Sequence, residues 1–252
     1  MYFWKCWRDT RVSFIVYLTM YLASAAAAVL LTAAVHDNEA GWSIVRGGSP
    51  ERIAQIWRGA RSALAVGAVL LGSMAGLGLG ATGVGDEFQP RTLEFLLTRP
   101  RRRSYFIWTG WAAGAAQILV IGTLTVSVAV ALLVFVTGSV LTWRIVGTLP
   151  LLCLGAVLVF GLTYFLTVLT RSGRHGLHLG LACVVVYPLL AAALEHWWQI
   201  KLPVPFDMVA GVAGHDLRGI AQPFPTAALA GWTAVAMSFP FAAQWLFNRA
   251  DI

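Results

Sequence analysis

Charge-free intervals set the pattern of this chain. Apolar and neutral residues run without an acidic or basic side chain from Val12 to Val35, Ser62 to Gly85, Ser104 to Trp143, Ile145 to Thr170 and Gly219 to Asn248. A shorter run, Gly176 to Leu194, is interrupted by His178. Each reaches the roughly 18–20 residues that a helix needs to cross about 30 Å of hydrocarbon. The pattern predicts an all-α, polytopic membrane protein with spans near residues 12–35, 62–83, 105–136, 146–170, 177–195 and 224–247, forming one transmembrane domain over residues 1–252. The interval of about 40 uncharged residues between Arg103 and Arg144 exceeds one ordinary span and leaves little room for a turn between two. It is read as one long or tilted helix ending near Thr137 and Gly138, followed by a short loop.

Three segments outside the spans have patterns of their own. The start, Tyr2-Phe3-Trp4-Lys5-Cys6-Trp7, reads as an interfacial helix with indoles at headgroup depth. Lys5, Arg8 and Arg11 before an apolar run resemble a secretion signal, but Val12–Val35 is longer than the roughly 7–15 residues of a cleavable one. A retained first span is expected. Ser49 and Pro50 form a helix start, and Ile53, Ile56 and Trp57 fall at i, i+3, i+4, which predicts a short interfacial helix on the outer side. Between Lys201 and Pro225, prolines 203, 205, 223 and 225 break a weakly apolar stretch. That stretch is expected to be re-entrant or to lie along the outer surface.

Composition agrees with the class. The chain is 58% hydrophobic and 12% charged, about half the charge of a soluble domain, which carries about 25%. The net charge of +7 would suggest nucleic acid in a soluble protein, but here topology explains it and no nucleic-acid partner is expected. Placing both termini in the cytoplasm puts 11 of the 18 lysines and arginines inside and seven outside. The inner ones, among them Lys5, Arg8, Arg11, Arg171, Arg174 and Arg249, crowd against span ends, where positive charge has most influence on orientation. Arg58 and Arg61 fall on the other side. The expected location is the cell inner (plasma) membrane, multi-pass, with both termini cytoplasmic.

No catalytic constellation is found. Motifs such as H-E-x-x-H, G-x-S-x-G, C-x-x-C and the Walker A lysine are absent. Cys6, Cys153 and Cys183 give no disulfide framework, and the two mid-span ones, Cys153 and Cys183, read as small apolar packers. His175 and His178 share a helix face beside Arg171 and Arg174 but have no further ligand to complete a metal set. Glu195-His196-Trp197-Trp198 reads as an interface anchor, with a contact at the outer mouth of a pathway as the sharper alternative. Gly78-Leu79-Gly80-Ala81-Thr82-Gly83 matches the dinucleotide fingerprint G-x-G-x-x-G. It lacks the preceding strand and the acid about 20 residues on. Gly72, Gly76 and Gly80, spaced by four, form instead a smooth strip on one helix face that lets a neighbouring backbone approach.

The loop after this strip carries the functional signal. Pro90 and Pro100 bracket good helix formers, with Leu93, Leu96 and Leu97 at i, i+3, i+4 and Arg91 and Glu94 at the edges. Three leucines on a short cytoplasmic helix (about 90–100) predict either dipping among lipid headgroups or insertion as a knob into a groove on a soluble partner. The run from Asp86 and Glu87 through Arg91-Thr92-Leu93-Glu94-Phe95-Leu96-Leu97-Thr98-Arg99-Pro100 to Arg103 resembles the E-x-x-x-x-T-L-E-x-L-L-x-x-P-x-x-R signature of ABC type 2 exporter permeases. Arg91 stands where that family often has glycine. Chain length, the interfacial N-terminus, six spans and the broken outer segment before the last span are also similar to that family.

The resemblance implies a permease subunit of an ATP-binding-cassette export complex with no catalytic site of its own. It implies a separate nucleotide-binding ATPase subunit as partner, with ATP and magnesium held there and no cofactor bound by this chain. Two permease subunits, as a homodimer or heterodimer, would form the pore within membrane lipid, and the helix from Pro90 to Pro100 would be the coupling helix docking on the ATPase. A rival reading keeps the ATPase but couples it to assembly or maturation of an outer partner. No charge lies mid-span, which favours a lipidic or amphipathic cargo over a small ion. The pathway candidates are the mild polar residues Gln117, Thr123, Thr125, Tyr164, Thr167 and Tyr187, with Glu195 at the outer mouth.

Overall fold

The computed structural model describes residues 2–36, 50–85, 103–137, 149–201 and 226–249. Among them every regular element is an α-helix: α1 Tyr2–Asp9, α2 Arg11–His36, α3 Pro50–Gly85, α4 Arg103–Thr137, α5 Leu149–Thr170, α6 Gly173–Trp198 and α7 Thr226–Arg249. Four of them contain a segment long and apolar enough to cross a bilayer: Arg11–Leu31, Ser104–Val136, Cys153–Thr170 and Gly173–Trp198. A shorter apolar stretch, Val69–Thr82, lies within α3. The described residues are thus all-helical, and the four apolar helices mark the protein as membrane-embedded. The expected coupling helix at 90–100, the loop after Thr137 and the broken stretch before Pro225 lie outside the described residues.

Local chemistry accounts for most helix ends. Pro50 opens α3, where its missing N–H leaves no intrahelical bond unmade. The short interfacial helix expected there does not stand apart: α3 runs unbroken from Pro50 to Gly85. Nothing between Trp57 and Ala63 stops it, since Gly59 costs only about 1 kcal/mol in a helix interior. The long uncharged interval is one helix through Thr137. Its 35 residues span about 52 Å at 1.5 Å per residue, well beyond the hydrocarbon thickness, so it tilts or projects.

α5 and α6 are joined by Arg171 and Ser172 alone. Arg171 takes the left-handed conformation (φ 53°) and Ser172 caps α6, its hydroxyl accepting from His175 N at 3.5 Å. This cap starts α6 at Gly173, earlier than the apolar run alone suggests. At its far end Gln199 adopts φ 56° and its N–H returns to Leu194 O.

α5 is the hub: it touches α3, α4, α6 and α7. The main core joins Leu79 of α3, Ile107 and Ile118 of α4, Phe160, Tyr164 and Val168 of α5, and Ala243 and Phe247 of α7. A second cluster joins Val29, Ile56, Ala60 and Leu133 near the opposite end of α2, α3 and α4. Apolar burial drives little association between helices already in lipid, so close packing and interhelical hydrogen bonds must hold this bundle.

Candidate functional site

The residues of the permease-like signature, Asp86, Glu87, Arg91, Thr92, Leu93, Glu94, Leu96, Leu97, Arg99 and Pro100, lie outside the described residues; Arg103 is the first residue of α4. What can be described is the frame from which that segment springs. α3 delivers the chain at Gly85, against the α5–α6 turn: a β-carbon on Gly85 would stand 2.7 Å from Gly173 Cα, and one on Gly173 would stand 2.6 Å from Ala81 O. Only glycine permits backbones this close.

α4 takes the chain back beside α1. Tyr2 meets the Phe106 ring edge-on at 5.0 Å and the Tyr105 ring at 6.2 Å. Tyr164 Oη of α5 donates to Ile107 O at 2.8 Å, and Trp108 Nε1 of α4 donates to Gln244 Oε1 of α7 at 2.7 Å. These contacts bring the start of α1, the end of α3, the start of α4, the α5–α6 turn and the end of α7 to one end of the bundle.

That end is basic. It carries Lys5, Arg8, Arg11, Arg171, Arg174 and Arg249, and among the described residues Asp9 is its acid. Arg249 lies over the Trp245 ring at 4.0 Å, a cation–π contact. The other end carries Glu195 paired with Lys201 at 3.7 Å, and the exposed Trp197 and Trp198.

The glycine strip lies on α5. A β-carbon at Gly72 would meet Tyr21 Oη at 3.0 Å and Ala156 Cβ at 3.3 Å. At Gly76 it would meet Ala156 O and Phe160 N at 2.8 Å, and at Gly80 it would meet Thr163 Cβ at 2.8 Å and Phe160 O at 2.9 Å. The G-x-G-x-x-G match falls wholly inside α3. Its residues are helical, not a turn between strand and helix, so they form no phosphate cradle.

The pathway candidates are not gathered in one place. Gln117 is fully buried, and its Nε2 donates to Thr10 Oγ1 at 2.7 Å. Thr10 Oγ1 lies 2.9 Å from Cys6 O and 3.1 Å from Gln117 Oε1. With one hydroxyl proton, the consistent chain is Gln117 to Thr10 to Cys6 O. This chain staples the α1–α2 joint to α4. Tyr164 is fully buried, Thr123 and Thr125 return their hydroxyls to Leu119 O and Ile121 O, and Tyr187 and Glu195 are exposed. Thr167 Oγ1 and Trp111 Nε1 are buried and have no hydrogen-bond partner among the described residues.

Sequence reasoning missed the two ties between side chains of different helices, Gln117 to Thr10 and Trp108 to Gln244. Gln117 was legible as a polar residue inside a span, and such a group usually marks a helix contact. Thr10 and Gln244 gave no such signal, because one sits at a helix joint and the other near a span end. No protein-family model matches this chain, and no curated protein matches it.

Proposed function

We propose that this chain is the membrane permease subunit of an ATP-binding-cassette export complex, coupling ATP hydrolysis on a separate ATPase subunit to movement of a lipidic or amphipathic substrate. In this reading α2 to α7 are six spans, the basic end faces the cytoplasm, and the segment from Asp86 to Arg102 docks on the ATPase. Two such subunits enclose the pathway.

The observation that carries the reading is where this segment is rooted. It leaves at Gly85 and returns at Arg103, and the frame around both roots also holds the α5–α6 turn. A push on it would act on α3, which lies against the hub helix along a glycine strip, and on α4, tied to α5 by Tyr164. Only a segment whose contacts differ between states can transmit such work, and leucines 93, 96 and 97 supply the apolar knob.

Leu96→Asp tests it. The variant is expected to remain in the membrane, because its change falls outside the spans, and to lose co-purification of an ATP-hydrolysing subunit from the native cells. Undiminished ATPase recovery with Leu96→Asp removes the docking role from this segment.

A further inference from the structure

α1 and the start of α2 frame an open concavity of about 550 Å³ lined by Trp4, Lys5, Trp7, Arg8 and Arg11. Helical spacing separates two faces. Tyr2, Cys6 and Thr10, at i, i+4, i+8, turn toward α4, where Cys6 and Thr10 are buried. Trp4, Arg8 and Arg11, at i, i+4, i+7, face outward, with Trp4 70% exposed. Among the described residues Asp9 is the carboxylate nearby, 4.0 Å from Lys5 Nζ and 3.9 Å from Arg8 Nε. No carboxylate of the described residues pairs with Arg11. Among the described residues the exposed Arg8 and Arg11 stand here beside one acid, an arrangement attractive to an anion.

An exposed apolar stripe continues from it along α2: Val12, Ile15, Val16 and Met20 all face outward. Ile15 lies one helical turn beyond Arg11, below the cationic group. The joint between the two parts is held in place by the Gln117–Thr10 contact, so cations and stripe keep one geometry relative to α4.

We infer that the α1–α2 joint is a binding site for one anionic phospholipid, its phosphate among Lys5, Arg8 and Arg11 and its acyl chains along Ile15, Val16 and Met20. The indoles of Trp4 and Trp7 flank the headgroup at the depth where tryptophan settles in a bilayer. The site follows from α1 and α2 alone and stands whether or not the chain works with an ATPase.

The test is native mass spectrometry of the purified full chain with equimolar phosphatidylglycerol and phosphatidylcholine of matched acyl chains. The unaltered chain is expected to retain phosphatidylglycerol roughly tenfold in preference, in keeping with the attraction of a few basic residues at a membrane surface. The double variant Arg8→Gln, Arg11→Gln changes only exposed side chains and is expected to lose that preference, whereas Arg171→Gln, Arg174→Gln keeps it. Soluble glycerol 1-phosphate in millimolar excess is expected to leave the bound lipid in place. Equal retention of the two lipids, a preference that survives the Arg8 and Arg11 changes or vanishes equally with the Arg171 and Arg174 changes, or displacement by glycerol phosphate each overturns the assignment.

Discussion

α5 and α6 are consecutive in sequence, joined by two residues, and each contains a segment apolar enough to cross a bilayer. In their most apolar windows, however, 61% of α5 is buried inside the bundle against 11% of α6. Hydropathy does not distinguish them; the placement of small and hydroxylated residues does. α5 presents Ala156, Gly161, Thr163 and Thr167 to its neighbours, so that α3, α6 and α7 can all come close. α6 confines its contact glycines to Gly173, Gly176 and Gly180, within its first turns, and beyond them shows Val185, Val186, Leu189 and Leu190 to the outside. A central helix in lipid is therefore made by the side chains it lacks, and a peripheral one by bulky branched residues that prevent close approach.

The largest effect should come from filling the groove beside α5. Gly76→Ala adds a β-carbon that would stand 2.8 Å from backbone atoms of Ala156 and Phe160. Neither atom belongs to a side chain that can swing away, so the helices must separate. The expected loss is about 2–3 kcal/mol, read as a lowered unfolding transition in detergent. Gly231→Ala on α7 is the control, since nothing lies within 4 Å of the added carbon; helix propensity should then raise stability by up to about 1 kcal/mol. The same substitution would thus act with opposite signs at two helical glycines. Equal effects would mean that the groove has room and that α5 is not the hub.

An intermediate effect is expected at the Thr10–Gln117 staple, which holds a different pair of helices. The two single substitutions should not be equivalent. Thr10→Val leaves the fully buried Gln117 amide without the hydroxyl it donates to, and should cost about 1–2 kcal/mol. Gln117→Leu leaves Thr10 still donating to Cys6 O at 2.9 Å, and should cost about half as much. The double substitution should recover part of the Thr10→Val loss, because no amide is then stranded. If Gln117→Leu proves the more damaging, the order of donors in this chain of hydrogen bonds is wrong.

These residues also mark how far the fold was legible before the structure. The uncharged run from Ser104 to Trp143 held neither proline nor charge to interrupt a helix, and α4 runs through it to Thr137. Pro50 announced the start of α3. The continuity of α3 past Trp57 was not legible, because an amphipathic turn and a span can be two helices or one, and Gly59 suits either. Spacing by four made Gly72, Gly76 and Gly80 visible as a strip, whereas the identity of the opposing helix depends on topology, which no local pattern encodes. Gln117 stood out as polar, but its partner lies 107 residues away in the chain, and periodicity is uninformative on a helix that is apolar on every side. The segment from Asp86 to Arg102, the most informative in sequence, lies outside the described residues, which include only its two roots, Gly85 and Arg103.

The smallest effect is expected on the outer face of α6, and it bears most directly on what separates α5 from α6. Leu189 is 65% exposed. If lipid covers it, Leu189→Ala exchanges one lipid-facing apolar group for a smaller one in both the folded bundle and the separated helices, and the two changes nearly cancel. Stability should then move by less than about 0.5 kcal/mol, with no change in the mass of the particle in detergent. In the proposed complex a second permease subunit must cover some apolar face, and α6 offers a broad one. A loss well above 1 kcal/mol, accompanied by dissociation to a lighter particle, would show that protein packs on Leu189. α6 would then be peripheral only within a single chain, and its bulky residues would be interface contacts just as the glycines facing α5 are.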